Sequence, residues 1–304
     1  MRVGTRVGAV VSGALVGLLS ATVWAQPEAA SGDEGELARW VDALDEARFE
    51  GEALGLAYRL EEARGRVSPD LYVAELERGA RAAARWPYAA FAIERELARA
   101  RMEQGDARGG ELASEAGCLT RWSLVGPLEN PSMEGFYEAV GPQLDLQGPY
   151  DGRFGEVAWR ELAPADYFCA FSLGSFVTPS TSAVVFLSSQ VELDAPWRGE
   201  LVVGAAGAYR VWIDGREVGG DDGERGAGLD VQSWPVRLSA GAHEVVVKLG
   251  STGQGSLAWS ARLLDAGGQP LAGVTHRAEA PQVVLGPMSK SAPPARAGAL
   301  TAVR

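Results

Sequence analysis

Arg210, Trp212 and Asp214 occupy alternate positions of the stretch Tyr-Arg-Val-Trp-Ile-Asp-Gly, residues 209–215. In an extended strand these three share one side, and Tyr209, Val211 and Ile213 share the other. If the valine and isoleucine face a core, the indole and guanidinium lie on the outer face, where they can stack on a sugar ring and hydrogen-bond its hydroxyls. Arg210, Trp212 and Asp214 are therefore the candidate ligand-binding residues. The competing reading covers Trp212 with a loop and pairs Arg210 with a nearby acid.

A second chemistry is possible in the loop Gly-Gly-Asp-Asp-Gly-Glu-Arg-Gly-Ala-Gly-Leu-Asp, residues 219–230. Hard cations such as calcium take six to eight oxygens from carboxylates and backbone carbonyls, which a glycine-rich acidic loop can supply. Asp221, Asp222 and Asp230, with Glu224 close by, are the candidate ligands of a structural calcium. Their spacing does not match the EF-hand pattern, and a simply solvated loop is the alternative.

Catalytic arrangements find little support. The chain has two histidines: His243 is expected in a turn and His276 in a C-terminal tail, so neither anchors a serine or cysteine nucleophile. No P-loop, dinucleotide-binding glycine pattern or zinc signature is present. Acidic residues are abundant, yet no spacing singles out a pair for glycoside hydrolysis. Cys118 and Cys169 either bridge each other or are separately buried thiols. The bridge is favoured, and would close a loop of about 50 residues, contributing about 4 kcal/mol by the chain-entropy relation.

The elements that must position these groups follow from texture. Arg2 and Arg6, an apolar run, and Val23-Trp24-Ala25 before Gln26 make residues 1–25 a cleavable signal peptide. The run is almost long enough for a membrane anchor, the competing reading. The mature chain is expected to be exported, in the periplasm or outside the cell, with no stable membrane span. Residues 26–34 read as a polar linker. Residues 35–117 are rich in Ala, Leu, Glu and Arg, with a helical stripe through Leu37, Trp40, Val41 and Leu44, and predict three or four antiparallel helices. Their spacing weakly resembles tetratricopeptide hairpins.

From Cys118 to Gly273 short runs of Val, Leu and Trp alternate with Gly- and Pro-bearing turns, which predicts an antiparallel β-sandwich. Leu257, Trp259, Ala261 and Leu263 share one face of a strand, as do Val245, Val247 and Leu249 of another. Asp214-Gly215 suits a type I′ hairpin. Residues 274–304 carry no convincing period and read as a disordered tail. The fold class is α+β with segregated parts: N-terminal antiparallel helical hairpins, then an antiparallel jelly-roll-like β-sandwich. A net charge of −12 and the absence of a basic stripe argue against nucleic acid as a partner.

Four stretches in order, "RWSLVGPLEN" at 121–130, "VAWREL" at 157–162, "AAGAYRVWIDGREV" at 205–218 and "LSAGAHEVVVKLG" at 238–250, carry a resemblance. The region 118–273 is similar to the galactose-binding-like jelly-roll module of exported bacterial proteins that carry tetratricopeptide or transglutaminase-like regions. Asp214-Gly215 replaces the usual Asn-Gly, and Ala242-His243 stands where Gly-Asn is usual. The resemblance implies an exported, non-catalytic envelope protein whose sandwich binds carbohydrate or acts as a spacer. Two alternatives are a tetratricopeptide-like scaffold for an envelope protein partner and the N-terminal fragment of a larger envelope enzyme.

Overall fold

The computed structural model describes residues 31–106, 108–146, 148–162, 168–223, 232–253, 257–271, 274–288 and 296–297. The expected signal peptide, the first part of the linker, and Glu224 and Asp230 of the acidic loop lie outside the described residues. Five helices come first: α1 Ser31–Glu46, α2 Glu50–Glu62, α3 Pro69–Ala82, α4 Pro87–Glu103 and α5 Arg108–Glu115. Proline opens both α3 and α4, where its missing N–H costs nothing. Ser68 Oγ accepts from Leu71 N at 3.4 Å as the cap of α3. The start of α4 is capped from a neighbour, since Glu50 of α2 accepts from Tyr88 N and Ala89 N at 2.9 and 3.0 Å. α1 packs on α2 and α3, and α4 on α2, α3 and α5, around Leu37, Leu44, Leu60, Leu76 and Ile93.

The β region has fourteen strands among the described residues. In chain order they are β1 Ser123–Glu129, β2 Tyr150–Gly152, β3 Gly155–Val157, β4 Arg160–Glu161, β5 Ala170–Ser172, β6 Ala183–Leu193 and β7 Trp197–Ala206. Then follow β8 Ala208–Ile213, β9 Arg216–Asp221, β10 Gln232–Leu238, β11 Gly241–Gly250, β12 Ala258–Asp265, β13 Thr275–Arg277 and β14 Arg296–Ala297. One sheet runs β4-β1-β6-β11-β8-β9 with β13 also on β6; the other runs β14-β10-β7-β12-β5; β2 and β3 form a separate hairpin. All pairings are antiparallel.

Burial of period two builds the core. Val211 lies opposite Val247 in the first sheet, Leu263 opposite Leu201 in the second, and all four are buried between the layers. Trp259 meets Trp122 edge-on at 6.0 Å and Tyr209 at 5.8 Å. Asp214 and Gly215 both have positive φ, 50° and 74°, as the expected type I′ turn requires.

Two further layers cover the sandwich. Outside the first sheet, Met133 and Phe136 from the β1–β2 connection, Tyr150 and Leu285 pack on Val184, Phe186, Trp212 and Val246. Outside the second, the helices dock through Phe91, Ala98, Ala113 and Ala116, with the Arg262 guanidinium 3.4 Å from the Phe91 ring centroid. Cys118 and Cys169 form a disulfide at this junction, 51 residues apart in sequence.

The expected disordered tail is corrected over its first half. Residues 274–288 lie on the sandwich: β13 pairs with β6, His276 Nε2 accepts from Thr120 N at 2.8 Å, and Leu285 is buried. These residues are anchored one at a time through different partners, so no period marks them in sequence.

Candidate functional site

The strand alternation around residue 212 holds, but the outer face it defines is not open. Trp212 is fully buried and its Nε1 donates to Gly286 O at 3.0 Å. The segment over it is tied down at several points. Gly286 N donates to Gly215 O at 2.7 Å, Val283 N donates to Glu244 Oε2 at 3.1 Å, and Gln282 N donates to the other oxygen of the same carboxylate. Residues 281–288 thus form a strap, and stacking of a sugar on Trp212, the expected exposed indole, is precluded while it is in place.

Arg210 is 2 % exposed and held by acids: Glu217 at 3.4 Å and Asp222, with its guanidinium 5.3 Å from the Phe136 ring centroid. Its cross-strand neighbour Lys248 is also buried, donating to Glu138 O at 2.7 Å and Gln143 Oε1 at 2.6 Å. Burial, then the nearby Arg210 charge, bring the Lys248 ammonium down to about 7. Lys248 fastens the β1–β2 connection to the sheet, whereas Arg210 pairs with acids of β9 and the residue after it and reaches that connection only at the Phe136 ring.

Asp214 does not join Arg210 and Trp212 in a site. Its Oδ2 is 2.6 Å from His243 Nδ1, its Oδ1 accepts from Glu244 N at 2.9 Å, and His243 Nε2 lies 3.3 Å from Ser239 Oγ. The order Ser-His-Asp is that of a hydrolytic triad, which the reading of His243 as a lone turn residue missed. Its electrostatics oppose that role. Nε2 is also 3.0 Å from the Ser239 carbonyl oxygen, so a doubly protonated ring satisfies both of its neighbours. Burial pulls the His243 pKa down, but the Asp214 bond, the Ser239 carbonyl and the Asp214 charge outweigh it and the net shift is upward. An Nε2 that donates to the Ser239 carbonyl has no lone pair free for the serine proton. The strand order creates this contact by setting β8 beside β11, and no local pattern announces it.

The candidate calcium ligands are committed to protein groups. Asp221 accepts from Gly223 N at 2.8 Å and Gln232 Nε2 at 2.5 Å, while Asp222 pairs with Arg210. Asp230 lies outside the described residues. Among the described residues no group of three or more His, Cys, Asp or Glu is placed to hold a metal ion.

A cleft opens elsewhere in the outer layer, with a volume of about 430 Å³, lined among the described residues by Leu146, Ala158, Trp159, Ala280, Pro281 and Gln282. Trp159, between β3 and β4, is half-buried. Its Nε1 donates to Tyr150 Oη at 3.1 Å, and Tyr150 Oη donates to Leu146 O at 2.9 Å, which ties the indole to the loop opposite it in sequence. Burial raises the Tyr150 pKa, and the nearby Asp145 adds to the rise, so the phenol remains a donor. Gln282 is exposed and donates from Nε2 to Ala280 O at 3.1 Å. An indole in a cleft whose described lining residues are uncharged and include the Gln282 amide suits a ligand that has an apolar face and hydroxyls. Trp159 lies in one of the four stretches singled out in sequence, but only the approach of the strap turns it into a cleft wall.

No protein-family profile and no curated protein matches the chain. Among solved structures, the β-glucosidase from Kluyveromyces marxianus in complex with glucose is 16% identical over 47% of this chain and 16% of that chain, with a TM-score of 0.33. The chain thus spans about a sixth of that enzyme's length. The PA14 sugar-binding domain from an RTX adhesin is 16% identical over 52% of this chain and 94% of that one, at a TM-score of 0.31. The PA14 domain of the MpAFP antifreeze protein gives 16%, 55%, 94% and 0.29. At such scores these likenesses carry no weight for the function, which rests on the geometry above.

Proposed function

We propose that the chain is an exported, non-catalytic envelope protein whose β-sandwich binds carbohydrate in the cleft at Trp159. The observation that carries this reading is a half-buried indole lining an uncharged cleft of about 430 Å³, in the size range of small-ligand sites. Export is supported by the Cys118–Cys169 disulfide, a bond that persists in oxidising compartments. No helix among the described residues is long and apolar enough to cross a membrane. The non-catalytic assignment is supported by the geometry at His243, whose Nε2 lies 3.0 Å from the Ser239 carbonyl oxygen, an acceptor that engages the nitrogen a general base would use. The test is a glycan array probed with the wild-type chain and Trp159→Ala. Retention of glycans by the wild type and their loss in the variant supports the reading, and equal retention by both defeats it.

A second reading makes the helices the working part, as a protein-interaction scaffold. It is favoured by the repeat of the hairpin, α1 with α2 and then α3 with α4, whose corresponding helices begin at Ser31 and Pro69 and at Glu50 and Pro87. Phe49 and Tyr58 are exposed on this part. Pull-down of an envelope protein by the full chain, lost in Phe49→Ser/Tyr58→Ser, would favour the scaffold.

A further inference from the structure

We infer that the Trp159 cleft selects neutral glycans, and that it holds them by stacking and hydroxyl hydrogen bonds without a bridging cation; this rests on the reading of the cleft as a carbohydrate site. None of its six lining residues is charged. The charges nearest to it in the chain are mostly acidic or turned away. Asp145 precedes Leu146, and Glu279 precedes Ala280 and pairs with Arg277. Glu244 lies directly beneath the strap, its carboxylate taking the N–H groups of Gln282 and Val283. Arg160 follows Trp159, but its guanidinium donates to the Phe176 carbonyl.

A uronic acid or sulfated sugar would therefore bring its anion into a site with no cation among its described lining residues, next to a buried carboxylate. Like charges so placed repel, and the loss of water strengthens the repulsion. Bridging by calcium fails on ligand supply. The ion needs six to eight oxygens, and among the described lining residues the only side-chain oxygen is the Gln282 amide. The candidate cation ligands Asp221 and Asp222 are held by Gln232, Gly223 and Arg210, away from this lining. What remains is a lining that combines the Trp159 indole, Ala280 and Pro281 with the Gln282 amide and backbone polar groups. That set recognises a ring with an apolar C–H face and uncharged hydroxyls.

The test is titration calorimetry on the full chain, with neutral probes (soluble β-glucan and galactan oligosaccharides) and anionic probes (alginate and polygalacturonate oligosaccharides). Each is repeated with EDTA and at high salt. The expected result is binding of a neutral probe that changes less than about twofold when ionic strength rises about tenfold, because no ion pair is screened. EDTA should leave it unchanged, and anionic probes should bind about tenfold more weakly or worse. Trp159→Ala should abolish binding, and Trp159→Phe, which keeps an aromatic face and the fold, should retain most of it. Preference for an anionic probe, or loss with EDTA, overturns the inference while Trp159 dependence leaves the carbohydrate reading standing. Absence of binding to every probe, or binding that survives Trp159→Ala, removes that reading and the inference with it.

Discussion

Trp159 and Trp212 belong to one apolar layer outside the first sheet, yet they should respond to truncation in opposite ways. Trp212 is fully buried and hydrogen-bonded to the strap, so Trp212→Ala leaves a cavity and an unpaired Gly286 carbonyl. The expected cost is about 3–5 kcal/mol, read from urea unfolding. Trp159→Ala, at a half-buried site, should remove glycan binding at a smaller cost in stability. His243 is also testable at this scale. Its pKa is raised on folding, so the folded state holds the proton more tightly, and the contribution is fully present below the unfolded value of about 6.5. It is lost as pH rises through the raised folded value. Because Lys248, brought down to about 7, adds a rise with pH that both chains share, the test is the difference in thermal stability between the wild type and His243→Gln, followed from about pH 6 to about pH 8.5; it should shrink as pH rises, and a difference independent of pH would refute the Asp214–His243 pairing.

The strap is the element on which the cleft depends. At Gly215, φ is +74° and an added Cβ would lie 2.5 Å from the Val284 carbonyl oxygen. Gly215→Ala should therefore cost about 1–2 kcal/mol for the left-handed backbone alone and push residues 283–286 outward. Hydrogen exchange at Val283 and Gly286 should quicken in that variant while β11 stays protected. Unchanged protection at both amides would contradict the tethering described here. The strands themselves were legible in sequence: Val211, Val247 and Trp259 fall inside because period-two burial admits one register, and Asp214-Gly215 can make only a few turns. The strap and the β1–β2 connection were not, since Phe136, Leu285 and Met133 sit in irregular or single-turn segments where no period marks them. One signal for the covered outer face did exist. Ala-Val-Val-Phe-Leu in β6 is a continuous apolar run, the mark of a strand buried on both faces, and it argued against an open face at its neighbours. Trp159 lay in a stretch that was noticed, but its partner wall is more than a hundred residues away and nothing local could pair them.

At the scale of the whole molecule, the helices join the second sheet at one junction, while the outer layer covers the first sheet. The Cys118–Cys169 bridge closes a loop across the helix–sandwich boundary, beside Phe91, Phe168 and Arg262. By the chain-entropy relation its loss through Cys118→Ser/Cys169→Ser should cost about 4 kcal/mol. A variant as stable as the wild type in urea would show that the bridge is dispensable. Because the cleft lies on the opposite side of the sandwich from that junction, glycan affinity in the double variant should survive at temperatures where it remains folded. The central claim, that the uncharged cleft between Trp159 and the strap is a carbohydrate site, is met most directly by calorimetric titration of neutral oligosaccharides into the wild-type chain and Trp159→Ala. The account predicts heat of binding from the first and none from the second, with both chains folded. Equal affinity in the two, or no affinity in the wild type for any of the sugars, would contradict it.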